Sequence, residues 1–181
     1  MNRFLILLLS FFLSCGSAEP TDSELPDSGT TSSKGGNGSD SASLVLGTGE
    51  TAFAPVTEGQ VLALILGPQG TGRLGGYHIW GGLEARGLDA SNRVNLKFTL
   101  VKKLDGQLMT NSEWNKMLQP AQTGAQFYAL PLIVRDCCSA RGELLEMRAT
   151  ATDQNGVSVT SSDTIQAGSR CSDAEGNDIC P

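Results

Sequence analysis

A single histidine serves a chain of 181 residues, and only 6% of its side chains are aromatic. One imidazole argues against a catalytic zinc centre of the His-rich kind, which is built on two or three. No apolar run approaches 18 residues, so no segment of the mature chain reads as a transmembrane helix. Positive charge is scarce too, with 13 Lys and Arg against 19 Asp and Glu, a net of −6. Without a basic patch nothing would neutralise a phosphate backbone, so nucleic acid is not an expected partner. A Gly-x-Ser-x-Gly nucleophile elbow is absent, as is any Cys-x-x-Cys pair.

The chain does begin with a short apolar run at residues 4–13, preceded by Arg3. About ten residues is half of what a bilayer core requires and suits the h-region of a signal peptide. The segment that closes it, Phe12-Leu13-Ser14-Cys15-Gly16, resembles the lipobox of bacterial lipoproteins. In that family the Cys is acylated, becomes the mature N-terminus and anchors the protein to a membrane. The resemblance implies a signal peptide over 1–14, lipidation at Cys15 and a place in the cell envelope. An Asp after the Cys favours inner-membrane retention in the family; Gly16 stands there, which implies the outer membrane. A second processing site stays open, because Gly16-Ser17-Ala18 also fits the ordinary signal peptidase and would discard Cys15.

Residues 16–43 hold eight Ser, five Gly, three Thr and two Pro, with Leu25 as the one large apolar side chain. Such a stretch buries too little surface to offset its ordering entropy, so 15–43 is expected to be a disordered tether. As a flexible coil it would span about 30 Å. Its net charge of −4 accounts for most of the acidity of the chain; residues 44–181 carry −3 and Arg3 adds one positive charge, for the total of −6.

The following 138 residues, long enough for one domain with a real core, carry a period of two. Val94, Leu96, Phe98 and Leu100 alternate with polar residues, and so do Leu145, Met147, Ala149 and Ala151. Tyr128, Leu130, Leu132 and Val134 form another expected inward row. Residues 61–66 are apolar without alternation, as in a strand covered on both faces. Shorter strands are expected at 44–46, 77–85 and 157–165, and Asn155-Gly156 marks a hairpin. One segment reads as helix. Thr110 and Glu113 have capping-box spacing, Trp114, Met117 and Leu118 fall on one face, and Pro120 ends it.

Seven to nine strands with one short helical crossover describe an all-β, two-sheet sandwich over 44–169. The run Ala149-Thr150-Ala151-Thr152-Asp153-Gln154-Asn155-Gly156 resembles the last hairpin of bacterial immunoglobulin-like domains. In that family such domains are spacers, adhesion modules or binding modules. The resemblance therefore implies a non-catalytic role, structural, adhesive or protein-binding, at the cell envelope.

Residues 67–76 combine a near match to the dinucleotide fingerprint with a near match to a P-loop. Both chemistries need a helix N-terminus behind the glycines. The residues that follow, from Tyr77 to Gly82, are β-like, so neither nucleotide nor any other cofactor is expected. On a strand, His78 shares a face with Trp80, Glu84 and Arg86. With Tyr77 nearby, this region is the candidate surface for the alternative function, a carbohydrate or small ligand. A core Trp80 beside a partly buried His78 is the plainer expectation. The tail at 170–181 carries Asp173, Glu175 and Asp178, whose spacing fails the EF-hand template, so no metal is expected.

With Cys15 lipidated, Cys137, Cys138, Cys171 and Cys180 remain, and an even number in an exported chain points to disulfides. Three full pairings exist. The two that staple the tail to the loop after Val134 are preferred over the one with a bond between Cys137 and Cys138.

Overall fold

The computed structural model describes residues 41–67 and 76–180. The signal peptide, Cys15, most of the tether and the centre of the glycine-rich loop lie outside the described residues. From the N-terminus the strands are β1 (Ser43–Thr48), β2 (Ala54–Pro55), β3 (Gln60–Leu62), β4 (Ile65–Leu66), β5 (Tyr77–Arg86) and β6 (Arg93–Lys102). There follow β7 (Leu108–Met117), β8 (Gln119–Pro120), β9 (Ala125–Val134), α1 (Cys137–Ala140), β10 (Leu144–Thr152) and β11 (Ser158–Ala167).

These strands make two sheets packed face to face. The first runs β2-β1-β5-β9-β8, with β4 also paired to β5; the second runs β3-β11-β10-β6-β7. Alternation places the core as expected. Val94, Leu96, Phe98 and Leu100 from β6 and Leu145, Met147, Ala149 and Ala151 from β10 are fully buried. Opposite them lie Leu46, Ile79, Leu83, Leu130 and Leu132 of the first sheet. Each large side chain so buried stabilises the fold by about 1.5–3 kcal/mol in transfer terms.

Three local expectations are corrected. The segment read as a helix, with Trp114 on its apolar face, is instead β7. It pairs with β6 from Arg93↔Met117 to Val101↔Leu108. A two-turn helix is marginal alone, whereas this strand gains a ladder along an established neighbour. Trp114 then packs edge-on against Phe98, with ring centroids 6.2 Å apart. The only helix among the described residues is the single turn α1, capped by Asp136, whose carboxylate accepts from the Ser139 N–H at 3.0 Å.

The apolar run at 61–66 is not one doubly covered strand. It leaves the second sheet at β3 and joins the first at β4, so Leu62 and Leu64 are buried while Val61 is 61% exposed. A sheet switch needs apolar residues without alternation, which is why the run misled.

The inward row of β9 also slips by one. Ala129 adopts φ +58°, and the pairing with β5 shifts register between Gly81 and Leu83. This bulge makes Phe127, not Tyr128, the inward partner above Leu130.

Strand direction gives the sandwich two distinct poles. The tether enters at the pole where Ser43 pairs with Arg86. Tyr77↔Val134, α1 and the C-terminal tail lie at the other, one strand length of about 30 Å away.

Candidate functional site

The two outer faces differ in kind. On the second sheet, polar residues satisfy one another across and along strands. The Thr150 and Thr160 hydroxyls of β10 and β11 lie 2.9 Å apart, Asn95 of β6 donates to Glu113 of β7 at 2.7 Å, and Arg148 donates to Glu146 of its own strand at 2.7 Å. The first sheet is apolar outside as well as inside at the end nearer the tail, whereas Glu84 and Arg86 make its other end polar. Its register sets Ile65, His78 and Ile133 side by side across β4, β5 and β9, with Trp80 beside Pro131. Ile65 and Ile133 are 36% and 40% exposed.

Glycines extend this face. Gly47 and Gly82 are paired across β1 and β5, and the Phe53 ring lies over both. A Cβ on Gly47 would sit 2.0 Å from Phe53 Cε2, so only glycine admits the ring there. The Trp80 carbonyl is held by the Thr48 hydroxyl at 2.6 Å.

His78 and Trp80 meet edge to face, with centroids 4.3 Å apart and planes at 71°. His78 is 4% exposed, and Trp80 is half-buried and outside the core. Neither His78 Nε2 nor Trp80 Nε1, both buried, has a hydrogen-bond partner among the described residues. Buried polar groups left so are rare and costly, about 1–3 kcal/mol each. Burial holds the His78 imidazole below its usual pKa, against the opposing pull of the Glu50 carboxylate.

That direction yields a pH prediction. The folded His78 takes its proton at a lower pH than the unfolded chain, whose value is about 6.5. Stability from the neutral ring is complete above that value and falls as pH drops through it, because the unfolded chain binds the proton first. Denaturant unfolding at pH 8 and pH 5 is expected to show this loss in the native chain. His78→Phe is expected to remove that share, and an identical loss in the variant would refute the assignment.

Tyr77 does not share this surface. It points inward at 3% exposure, and its hydroxyl donates to the Ser172 carbonyl of the tail. Burial, followed by the carboxylates of Asp173 and Asp178, pushes its pKa up. The expected trio is thus reduced to His78 and Trp80, joined by Phe53, Ile65, Pro131 and Ile133. Trp80 itself is not the core residue of the plainer expectation. Ile65 and Phe53 were missed because their places beside His78 and over Gly47 and Gly82 depend on which strands pair and how the intervening loops fold back.

The cysteines pair across the far pole. Cys137 joins Cys171 and Cys138 joins Cys180, with Cα–Cα distances of 6.0 and 5.4 Å. This is one of the two crosslinked arrangements. In the tail, Asp173 caps its own turn by accepting from the Glu175 and Asn177 N–H groups and from the Asn177 amide. The bonds to Asn177 dominate in holding its carboxyl below the usual range.

At the tether pole a polar cleft of about 800 Å³ opens between Ser41, Ser43, Arg86 and Thr123. Glu84 accepts from the Thr123 hydroxyl and lies 3.7 Å from the Arg86 guanidinium. No protein-family model matches the chain, and neither a curated protein nor a solved structure matches it.

Proposed function

We propose that the chain is a lipoprotein anchored through Cys15 to the outer membrane, displaying its sandwich as a non-catalytic module with a structural, adhesive or binding role. The observation that carries this reading is the pole at which the chain enters. Ser41 leads into β1 at one end of the sandwich, and the stapled tail closes the other. A spacer running back to Cys15 would hold the domain end-on, with both outer faces free to meet a partner. Several acyl chains would make that anchoring stable, where one gives only reversible binding.

The non-catalytic half draws on the surroundings of His78. A Ser-His-Asp arrangement needs an imidazole bonded to a hydroxyl and oriented by a carboxylate. His78 is flanked instead by Ile65, Ile133 and Trp80, and its Nε2 has no hydrogen-bond partner among the described residues. All four cysteines of the domain are committed to disulfides.

The anchor is tested by Cys15→Ser. The variant is expected to move from the membrane fraction to the soluble fraction with its β-sheet circular dichroism unchanged. Retention of the variant in the membrane fraction would overturn the reading.

A further inference from the structure

We infer that the His78–Trp80 patch on the outer face of the first sheet is a binding site for a neutral saccharide. This deepens the binding half of the proposed function, and it stands whether or not Cys15 is acylated.

Three observations carry it: the partly exposed ring, the two unpartnered nitrogens and the apolar residues that flank them. The patch pairs an aromatic ring at partial exposure with two buried nitrogens that lack partners among the described residues. Ligand sites are mostly apolar surfaces with a few placed polar groups, and this face has that composition. The indole N–H can only donate, while a neutral imidazole Nε2 donates or accepts by tautomer. A sugar hydroxyl does both, so it can serve the two together. The C–H face of a pyranose ring meanwhile packs on the indole and on the flanking Ile65, Pro131 and Ile133.

Other occupants fit less well. The spacer offers only Leu25 as a large apolar side chain, so it cannot cover an apolar face. An anion would meet the field of the Glu50 carboxylate, which acts on His78. An aliphatic protein surface would leave both nitrogens buried without a partner, which is the costly outcome.

Both nitrogens are buried before binding, so a ligand that reaches them must displace side chains around Trp80. Ligand binding should therefore change the emission of Trp80.

The test titrates the full chain in detergent with chitohexaose, cellohexaose and maltohexaose, followed by calorimetry and by tryptophan emission. At least one is expected to bind with Kd below about 1 mM. Trp80→Phe keeps an aromatic face but removes the N–H, and is expected to weaken binding at least ten-fold; His78→Phe should do the same. Trp114→Phe, on the other sheet, should bind as the native chain does. Thermal unfolding checks each variant, and if His78→Phe unfolds, Trp80→Phe decides. Three results would overturn the site: no saturable binding of any of the three, native affinity in Trp80→Phe, or a concentration-dependent dimer dissociated by Trp80→Glu. Fractionation of Cys15→Ser is independent of all three, so failure of the anchor and failure of the site are distinguishable.

Discussion

Replacing Cys137 and Cys171 together by serine is expected to lower stability by about 5 kcal/mol, near the top of the range for native disulfides. The same change at Cys138 and Cys180 should cost about 3 kcal/mol. The two bonds close similar lengths of chain, 34 and 42 residues apart in sequence, so the loss of crosslink entropy is nearly the same. Burial separates them. Cys137 and Cys171 are 4% and 0% exposed, so serines there would bury two hydroxyls in an apolar setting. Cys138 is exposed and Cys180 half-buried. The inner bond also holds the start of the tail against β5, where Ser172 receives the Tyr77 hydroxyl. At roughly 4 °C per kcal/mol, the inner variant should melt about 20 °C below the native chain and the outer about 12 °C below. Mild reductant should open Cys138–Cys180 first, as mass mapping of alkylated peptides can show. Equal losses from both pairs, or reduction of the inner bond first, would refute this ranking.

Asp153→Ala is expected to cost about 3 kcal/mol. Asp153 is 6% exposed and sits at the turn between β10 and β11. One carboxylate oxygen accepts from the N–H groups of Asn155 and Val157, both at 2.9 Å. The other accepts from the Asp89 N–H at 2.9 Å, tying this hairpin to the link between β5 and β6. Removing the side chain leaves three donors to find water at a partly closed site. Asp153→Asn keeps one acceptor oxygen for the hairpin but turns an amide toward Asp89 N–H, so about half the loss is expected. Denaturant unfolding of both variants measures the two values. A loss below about 1 kcal/mol in Asp153→Ala would show that the hairpin does not depend on this carboxylate.

Asp153 also shows where the sequence was legible. The Ala-Thr-Asp-x-x-Gly run was read through its resemblance, and Asn155-Gly156 through its turn chemistry. The hairpin is there, with Gly156 at φ +80° and its N–H bonded to the Asp153 carbonyl at 3.1 Å. Strict alternation found β6 and β10, because each has one face wholly in the core. It failed at β7, an edge strand whose Ser112, Trp114 and Lys116 are only half-buried, so helical spacing of Trp114 and Leu118 competed on equal terms. It failed at Tyr128 because a bulge changes parity at a residue, Ala129, that carries no turn signal. Pairing of four cysteines is a question of distance in the fold, which spacing along the chain leaves open.

The candidate site was half legible for the same reason. Strand parity put His78 and Trp80 on one face. It could not bring β4 beside His78 or lay Phe53 over Gly47 and Gly82, since those meetings depend on sheet order.

The measurement that bears most directly on the tethered reading is the mass of the mature N-terminus, taken from the membrane fraction of the native host. An acylated Cys15 as first residue is the result predicted. An unmodified chain beginning at Glu19 would contradict it, leaving a secreted sandwich with no anchor.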